Sequence, residues 1–200
     1  MCIRDRYDNI QLVFDEEAVV VTRTNETGLI GFDAFFDRQL SGRFVEKLRN
    51  EGATTICPDI VEIFRVEMGR PKFGVDMDET TIPLEANIQD RAISTTKGCY
   101  VGQEVIIRVL HRGHGRVVRK LVGLVLNGAV PIPGSLIRQR DKDVGQVTSA
   151  VFSPALGKPI ALGYVHRDFV NPGTVVDVIL DDDCQSATVT RLPFCKIAAN

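Results

Sequence analysis

The sequence predicts an α+β fold in the first part of the chain and a small antiparallel β-barrel in the second. In the first part, apolar residues recur at helical spacing around a glycine-rich loop, and two strand-like runs precede them. In the second part, short β-branched runs alternate with turn-forming sequences such as Asn-Pro-Gly. We therefore predict two domains, residues 1–112 and 113–200, that meet at Gly113 to Arg116.

The first domain begins with two predicted strands and an amphipathic helix. The strands are EAVVVTRT, residues 17–24, and GFDAFFD, residues 31–37, which alternates as a half-buried strand does. Leu40, Phe44 and Leu48 recur every four residues with charges between them, and Gly52 follows. This pattern predicts a helix with one buried face and a glycine stop.

A second helix is predicted from Pro58 to Met68, since proline suits a first helical position and Gly69 follows the last apolar residue. Ile60, Val61 and Phe64 are expected to form its buried stripe.

A long ordered loop, residues 69–93, should come next, because glycine, proline and acidic residues dominate it. A third helix is predicted over GQEVIIRVLHR, residues 102–112. Its apolar face comprises Val101, Val105 and Val109. The barrel strands are then expected within VVRKLVGLVL, GSLIRQ, VGQVTSAV, IALGYV and TVVDVIL.

Composition excludes several classes of function. The 24 basic and 26 acidic residues leave a net charge of -2, which gives no overall field to attract nucleic acid or an anionic membrane. No apolar run is long enough to span a bilayer, and MCIRDRYDNI lacks the apolar core of a signal peptide. We therefore expect a cytoplasmic protein. Five cysteines without a CxxC pair argue against a disulfide framework and a local metal motif.

Cys99 is the best candidate for a reactive group. It lies in TTKGCYVGQEV, two residues after Lys97 and just before the third predicted helix. A nearby ammonium and a helix N-terminus both favour thiolate over thiol. The alternative is a buried structural cysteine in a glycine turn, and composition leaves both open. Cys57 and Cys195 are expected to be packing residues.

Other chemistry-bearing residues are assigned to solvated surface. His111 and His114 lack a nearby third ligand, so we predict no metal site. The acidic run VDMDET, which contains Asp76, Asp78 and Glu79, is expected to be solvated.

The segment KGCYVGQE, Lys97 to Glu104, resembles the signature of the YgfZ group. That group lies within the folate-binding family that also contains the aminomethyltransferase (T-protein) of the glycine cleavage system. Three further segments resemble this family in the same order: VTRTNETGLIGFD, FRVEMGRPKFGVDMDETTIPLEA and VGQVTSAVFSPALGKPIALGYV. The resemblance implies that residues 1–112 are the C-terminal part of a GcvT-like folate-binding fold, a partial aminomethyltransferase-like domain. Residues 113–200 would be the family's C-terminal β-barrel.

The resemblance also implies a ligand and a set of site residues. The ligand would be tetrahydrofolate or a derivative, and its candidate contacts are Arg23, Glu26, Arg65 and Glu67. Cys99 would be the key residue. The rest of its motif comprises Lys97, Gly98, Tyr100, Gly102, Gln103 and Glu104. Tyr100 and Gln103 are expected to frame the thiol, and Glu104 to cap the helix or hold Lys97.

Two departures from the family qualify these expectations. Family members begin with a further stretch that builds a first domain, and MCIRDR does not resemble a family start, so we expect a fragment with foreign opening residues. Because the family's folate site lies beside that domain, weak folate binding is expected here. The T-protein turn also carries a glutamate that holds the pterin ring, whereas Leu29 stands at the matching place.

Three hypotheses of function follow. The first is a YgfZ-like protein that binds tetrahydrofolate and supports assembly or repair of iron–sulfur enzymes, with folate and iron–sulfur proteins as partners. The alternative is an aminomethyltransferase that passes a one-carbon unit to tetrahydrofolate. The third is a protein that keeps the fold and binds nothing. An accessory role is preferred over an enzyme.

Overall fold

The computed structural model describes residues 8–25, 27–94, 96–112, 116–180 and 183–195. The chain forms two compact units that part between Arg65 and Val66. The first unit carries a sheet and helices, and the second carries the long loop and a β-barrel. The predicted mixed fold with an antiparallel barrel is confirmed.

The first unit contains a three-stranded antiparallel sheet. Its strands are β1 (Asn9–Phe14), β2 (Glu17–Thr24) and β3 (Gly31–Phe35), paired in that order. The prediction located β2 and β3 but not β1. Asp15 and Glu16, both at positive φ, turn β1 back onto β2, so that Phe14 faces Glu17. This turn has neither glycine nor asparagine, and the sequence therefore gave no hairpin signal here.

The predicted burial in this unit is only partly right. A short 3₁₀ turn precedes helix α1, which spans Ser41–Asn50. Leu40 is buried, and the Phe44 ring centre lies 5.3 Å from that of Phe14. Leu48, however, is exposed, so the predicted stripe does not continue along the helix. Phe32 on β3 is also exposed, which contradicts the expectation of a half-buried strand.

Helix α2 spans Pro58–Glu67, as predicted, but its buried residues differ from the expected stripe. Ile60 and Val61 are exposed, whereas the last three residues of the helix are buried: Arg65, Val66 and Glu67. The C-terminal turn of the helix is covered, and its apolar stripe is not. Periodicity identifies an apolar face but does not determine what packs on it.

The predicted loop over residues 69–93 is irregular chain apart from a four-residue helix, α3 (Gln89–Ala92). Backbone and side-chain bonds attach it to the barrel. The Leu121 N–H donates to the Glu85 carbonyl over 2.7 Å, and the Asn87 amide donates to the Leu121 carbonyl over 2.6 Å. The loop is therefore anchored to the barrel of the second unit.

The third predicted helix has the expected extent but not the expected face. Helix α4 spans Gln103–Ile107 and continues as a wider π-type turn over Arg108–Arg112. Val101 and Val105 are exposed, so the apolar face predicted from their spacing is not buried.

Six strands close into an antiparallel barrel in the order β4-β7-β6-β5-β8-β9. They are β4 (Arg119–Leu126), β5 (Leu136–Gln139), β6 (Lys142–Ser153), β7 (Lys158–His166), β8 (Val175–Leu180) and β9 (Asp183–Thr190). Their inward side chains form the main core, which includes Leu124, Leu126, Ile137, Val147 and Val178. Closure pairs every strand on both sides and removes exposed sheet edges.

The predicted domain boundary at Gly113 to Arg116 falls mostly outside the described residues and stays a prediction. Compactness divides the chain earlier, at Arg65, because the long loop belongs to the same unit as the barrel.

Candidate functional site

The segment around Cys99 is an exposed turn that leads into α4. The Cys99 thiol is free and exposed, which contradicts the alternative of a buried structural cysteine. The Lys97 ammonium lies 4.8 Å from the centre of the Tyr100 ring, and the Tyr100 N–H donates to Gln103 Oε1 over 3.2 Å. Gly102 sits at the helix N-cap with a φ of 84°, a conformation that glycine adopts without strain. A reactive role for Cys99 stays a prediction.

Glu104 does not have either of its predicted roles. Its carboxylate pairs with Arg108 one turn along α4, at 2.6 Å, and the helix start has no side-chain cap. The i, i+4 spacing brings these two side chains to the same helix face, which explains why Arg108 and not Lys97 is the partner.

The other described cysteines differ in how far they are buried. Cys57 and Cys184 are exposed, so the expectation that Cys57 packs in a core is wrong. Cys195 is partly buried, and burial together with the Glu67 carboxylate raises the pKa of its thiol. Among the described residues, no group of three His, Cys, Asp or Glu side chains could hold a metal ion. His114 lies outside the described residues.

The described candidate folate contacts lie on two elements, Arg23 on β2 and the pair Arg65 and Glu67 on α2. Glu26 lies outside the described residues. Arg65 is buried near the end of α2, where its guanidinium binds both carboxylate oxygens of Glu62 at 2.5 and 2.9 Å. Glu67 belongs to the second unit, and its carboxylate accepts a hydrogen bond of 2.5 Å from Ser153. Glu67 thus anchors the helix end to β6.

The turn between β2 and β3 contains a polar atom that sequence reasoning missed. Asn25 Oδ1 is inaccessible to solvent and accepts no hydrogen bond from the described residues. The neighbouring backbone is held by the Gly28 N–H donating to the Asn25 carbonyl and the Leu29 N–H donating to Thr27 Oγ1. An unpaired buried acceptor is destabilising unless a partner binds it, so Asn25 is a candidate ligand contact.

The acidic run in the long loop is not uniformly solvated, and the prediction is wrong for Asp76. Asp76 is 3% exposed, and its carboxylate accepts hydrogen bonds from Thr148 Oγ1, from Ser149 Oγ at 2.7 Å and from the Lys72 N–H at 2.9 Å. Asp78, two residues later, is exposed as expected. The carboxylate of Asp76 fixes the loop to β6.

Sequence reasoning also missed a cavity at one end of the barrel. It has a volume of about 610 Å³ and lies among the start of β6, the end of β7 and the loop at residues 74–81. Tyr164, on β7, lines it and is 6% exposed. Gly145 keeps the strands close here, because a Cβ at that position would clash with the Tyr164 carbonyl. No motif signals this cavity, because it forms where the loop at residues 74–81 meets β6 and β7, which lie far from that loop in the sequence.

The barrel has known relatives. Residues 119–196 match the family described as the glycine cleavage T-protein C-terminal barrel domain. The second part of the chain is therefore similar to the T-protein barrel domain. The match begins at the first residue of β4, and its extent agrees with the closed six-stranded sheet.

Similarity extends over both parts of the chain. An aminomethyltransferase of Thermosynechococcus vestitus is 34% identical over 177 residues, which are 88% of this chain and 47% of the relative. One of Prochlorococcus marinus is 29% identical over 180 residues, or 90% of this chain and 48% of the relative. The crystal structure of glycine cleavage system aminomethyltransferase T from Bartonella henselae matches with a TM-score of 0.74 and 25% identity, covering 88% of this chain and 50% of that one.

The chain thus spans about half the length of the curated relatives that it matches. These similarities support the T-protein side of the resemblance seen in the sequence, whereas the YgfZ assignment stays a prediction. Among the described residues, no helix is both long enough and apolar enough to cross a bilayer.

Proposed function

We propose that this chain belongs to a folate-binding protein of the T-protein type that acts as an aminomethyltransferase. The observation that supports this proposal most strongly is the continuous similarity to aminomethyltransferases over 88–90% of the chain. It includes the α+β part as well as the barrel. This support favours the enzyme, the alternative of the sequence analysis, over the accessory role preferred there.

The turn between β2 and β3 offers a partial fit to a reduced pterin. Asn25 Oδ1 is a buried acceptor without a partner among the described residues, and ring N–H groups of a pterin are suitable donors to it. Leu29 offers no side-chain acceptor where T-proteins carry a glutamate. Asn25 is therefore the contact through which this turn would hold the ring.

Two measurements test the proposal on the purified chain. The first is calorimetric titration with tetrahydrofolate, for which we expect a Kd weaker than about 1 μM. The second is a glycine cleavage assay with lipoyl carrier protein, in which methylenetetrahydrofolate should form. Binding without transfer would contradict the enzyme and leave a folate-binding protein. No binding would contradict both and favour the third hypothesis, a fold that binds nothing.

The variant Asn25→Leu tests by the same titration whether Asn25 contacts folate. Losing one hydrogen bond to a buried acceptor should weaken tetrahydrofolate binding about tenfold, which corresponds to ~1.4 kcal/mol. Asn50→Leu, at the exposed end of α1, is the matched control and should bind as the wild type does. Equal affinities for both variants would show that Asn25 is not a folate contact.

A YgfZ-like role in iron–sulfur enzyme maintenance remains the second candidate. It is favoured by the motif KGCYVGQE together with the exposure of its thiol. Cys99→Ala should then abolish support of iron–sulfur enzymes in cells while leaving the fold and the folate titration unchanged. Cys57→Ala, which removes another exposed thiol, is the control. Full support by Cys99→Ala would eliminate this candidate.

A further inference from the structure

We infer that the cavity at the end of the barrel binds a small carboxylate with an apolar body. All of its lining residues belong to the second unit, and Asn25, the proposed folate contact, is not among them. Its walls come from β6, β7 and the loop at residues 74–81. A volume of about 610 Å³ falls within the range of roughly 300–1,000 Å³ that is typical of small-molecule sites.

The first supporting observation is an unsatisfied hydroxyl. Tyr164 is 6% exposed and lines the cavity, and its hydroxyl makes no hydrogen bond with the described residues. Burial raises its pKa to about 12; the Arg119 guanidinium opposes this shift, and the carboxylates of Asp76 and Glu85 add to it. The hydroxyl therefore keeps its proton at neutral pH and is available as a donor.

The second observation is a cation stacked on the same ring. The Arg119 guanidinium lies 4.7 Å from the centre of the Tyr164 ring, and its Nε donates to Glu85 Oε2 over 3.0 Å. Its two terminal nitrogens have no hydrogen-bond partner among the described residues, and its side chain is 49% exposed. Arginine binds carboxylates through such paired N–H groups.

The four acidic groups that line the cavity, by contrast, already have partners, and Asp168 Oδ1 lies 3.8 Å from Arg167 Nε. Asp76 accepts hydrogen bonds from Thr148 and Ser149, and the Asp143 carboxylate accepts one of 2.6 Å from Arg138. The Asp78 carboxylate accepts bonds from the hydroxyls of Thr80 and Thr81. The groups left without partners are donors, and this imbalance selects an anionic acceptor over a cation.

The remaining wall suits an apolar body. Val75, Met77, Val144 and Phe169 line the cavity together with the polar groups. A ligand with a carboxylate at one end and an aromatic or aliphatic body at the other would satisfy both sets of side chains. Lys142, which also lines the cavity, adds a second positive charge to its lining.

The probe for this site is benzoate, titrated into the ¹⁵N-labelled chain and followed by amide chemical shifts. We expect shifts at residues of β6, β7 and the loop, with a Kd on the order of 1 mM for so small a ligand. Benzamide should bind more weakly, and benzylammonium should not bind. Shifts confined to other parts of the chain, or equal binding of benzylammonium, would overturn the inference.

Tyr164→Phe removes only the hydroxyl and should weaken benzoate binding about tenfold. Tyr100→Phe is the matched control, since Tyr100 does not line the cavity, and its affinity should equal that of the wild type. Wild-type affinity in Tyr164→Phe would overturn the assignment of the hydroxyl as the donor. Displacement of benzoate by tetrahydrofolate would overturn the inference of a separate site, whereas failure of folate binding would leave it intact.

Discussion

The sheet of the first unit and the barrel of the second are both antiparallel, yet they bury their side chains very differently. Among the described residues before Val66, the buried apolar side chains are Val19 and Leu40, whereas the barrel buries a continuous core. The sheet has two open edges, and Phe32 and Phe35 on it are each 60% exposed. A closed sheet provides its own opposite wall, while an open sheet does not. We therefore expect the stability of this chain to be concentrated in the barrel.

The difference in burial between the two units is tested most directly by the same leucine-to-alanine substitution in each. Leu124→Ala, in the barrel core, should lower the free energy of unfolding by about 3 kcal/mol through lost burial and a residual cavity. Leu12→Ala, on the partly exposed β1, should lower it by less than ~1 kcal/mol. Urea denaturation monitored by circular dichroism measures both. Equal losses would show that the sheet contributes as much stability as the barrel.

Loss of the side chain that anchors the long loop should cause the next largest loss of stability in the second unit. Asp76→Ala removes the carboxylate that accepts hydrogen bonds from Thr148 Oγ1, Ser149 Oγ and the Lys72 N–H, and it should destabilise the chain by about 2–3 kcal/mol. Asp78→Ala removes an exposed carboxylate and should have a smaller effect. Chemical denaturation of both variants gives the difference. A larger loss from Asp78→Ala would mean that the loop is stabilised by its own turn and not by the barrel.

Alkaline pH should weaken the barrel through Tyr164. Its folded pKa, about 12, lies above the ordinary 10.0, so the folded state holds the proton more tightly than the unfolded state does. The associated stability is present below pH 10 and is lost as the pH rises toward 12, by up to ~2 kcal/mol. Tyr164→Phe should lose less stability over this interval. Parallel pH profiles for the wild type and the variant would contradict this explanation.

The smallest expected effect is a difference in thiol labelling rates. Cys57 in the first unit is exposed, whereas Cys195 in the second is partly buried with a raised pKa. Iodoacetamide at neutral pH should therefore label Cys57 faster than Cys195. If Lys97 activates its neighbour, Cys99 should react faster than either. Peptide mass spectrometry over time measures the three rates, and a Cys99 that reacts no faster than Cys57 would contradict its activation.

Features of this structure that depend on residues close together in the sequence could be predicted, and features that depend on distant residues could not. Strand β2 and helix α2 begin at their predicted residues, because β-branched runs and an initial proline act locally. Strand β1 was missed, since its turn lacks the usual residues. The exposure of Ile60 and Val105 was missed as well, because an apolar face shows where burial is favourable and not whether another element covers it.

The candidate site also contains features that the sequence predicts and features that it does not. The motif around Cys99 is contiguous, so the sequence could place its thiol, its lysine and its tyrosine in one turn, as the structure does. Glu104 was expected to cap the helix or hold Lys97, whereas the i, i+4 spacing on the helix pairs it with Arg108. Asn25 gave no signal, since an asparagine in a turn normally satisfies its own side chain.

By itself, the sequence determined that this protein has an α+β part and an antiparallel barrel, and that one cysteine motif lies at the start of a helix. Those features depend on residues within one or two turns of each other, and local propensity encodes them. Only the tertiary structure decided that Asp76 is a buried anchor and that Arg119 stacks on Tyr164 at a cavity. Asp76 and Ser149 are 73 residues apart along the chain, and Arg119 and Glu85 are 34 residues apart. The pairing of β4 with β7 and the packing of the loop on β6 bring them together, and no local sequence pattern records those contacts.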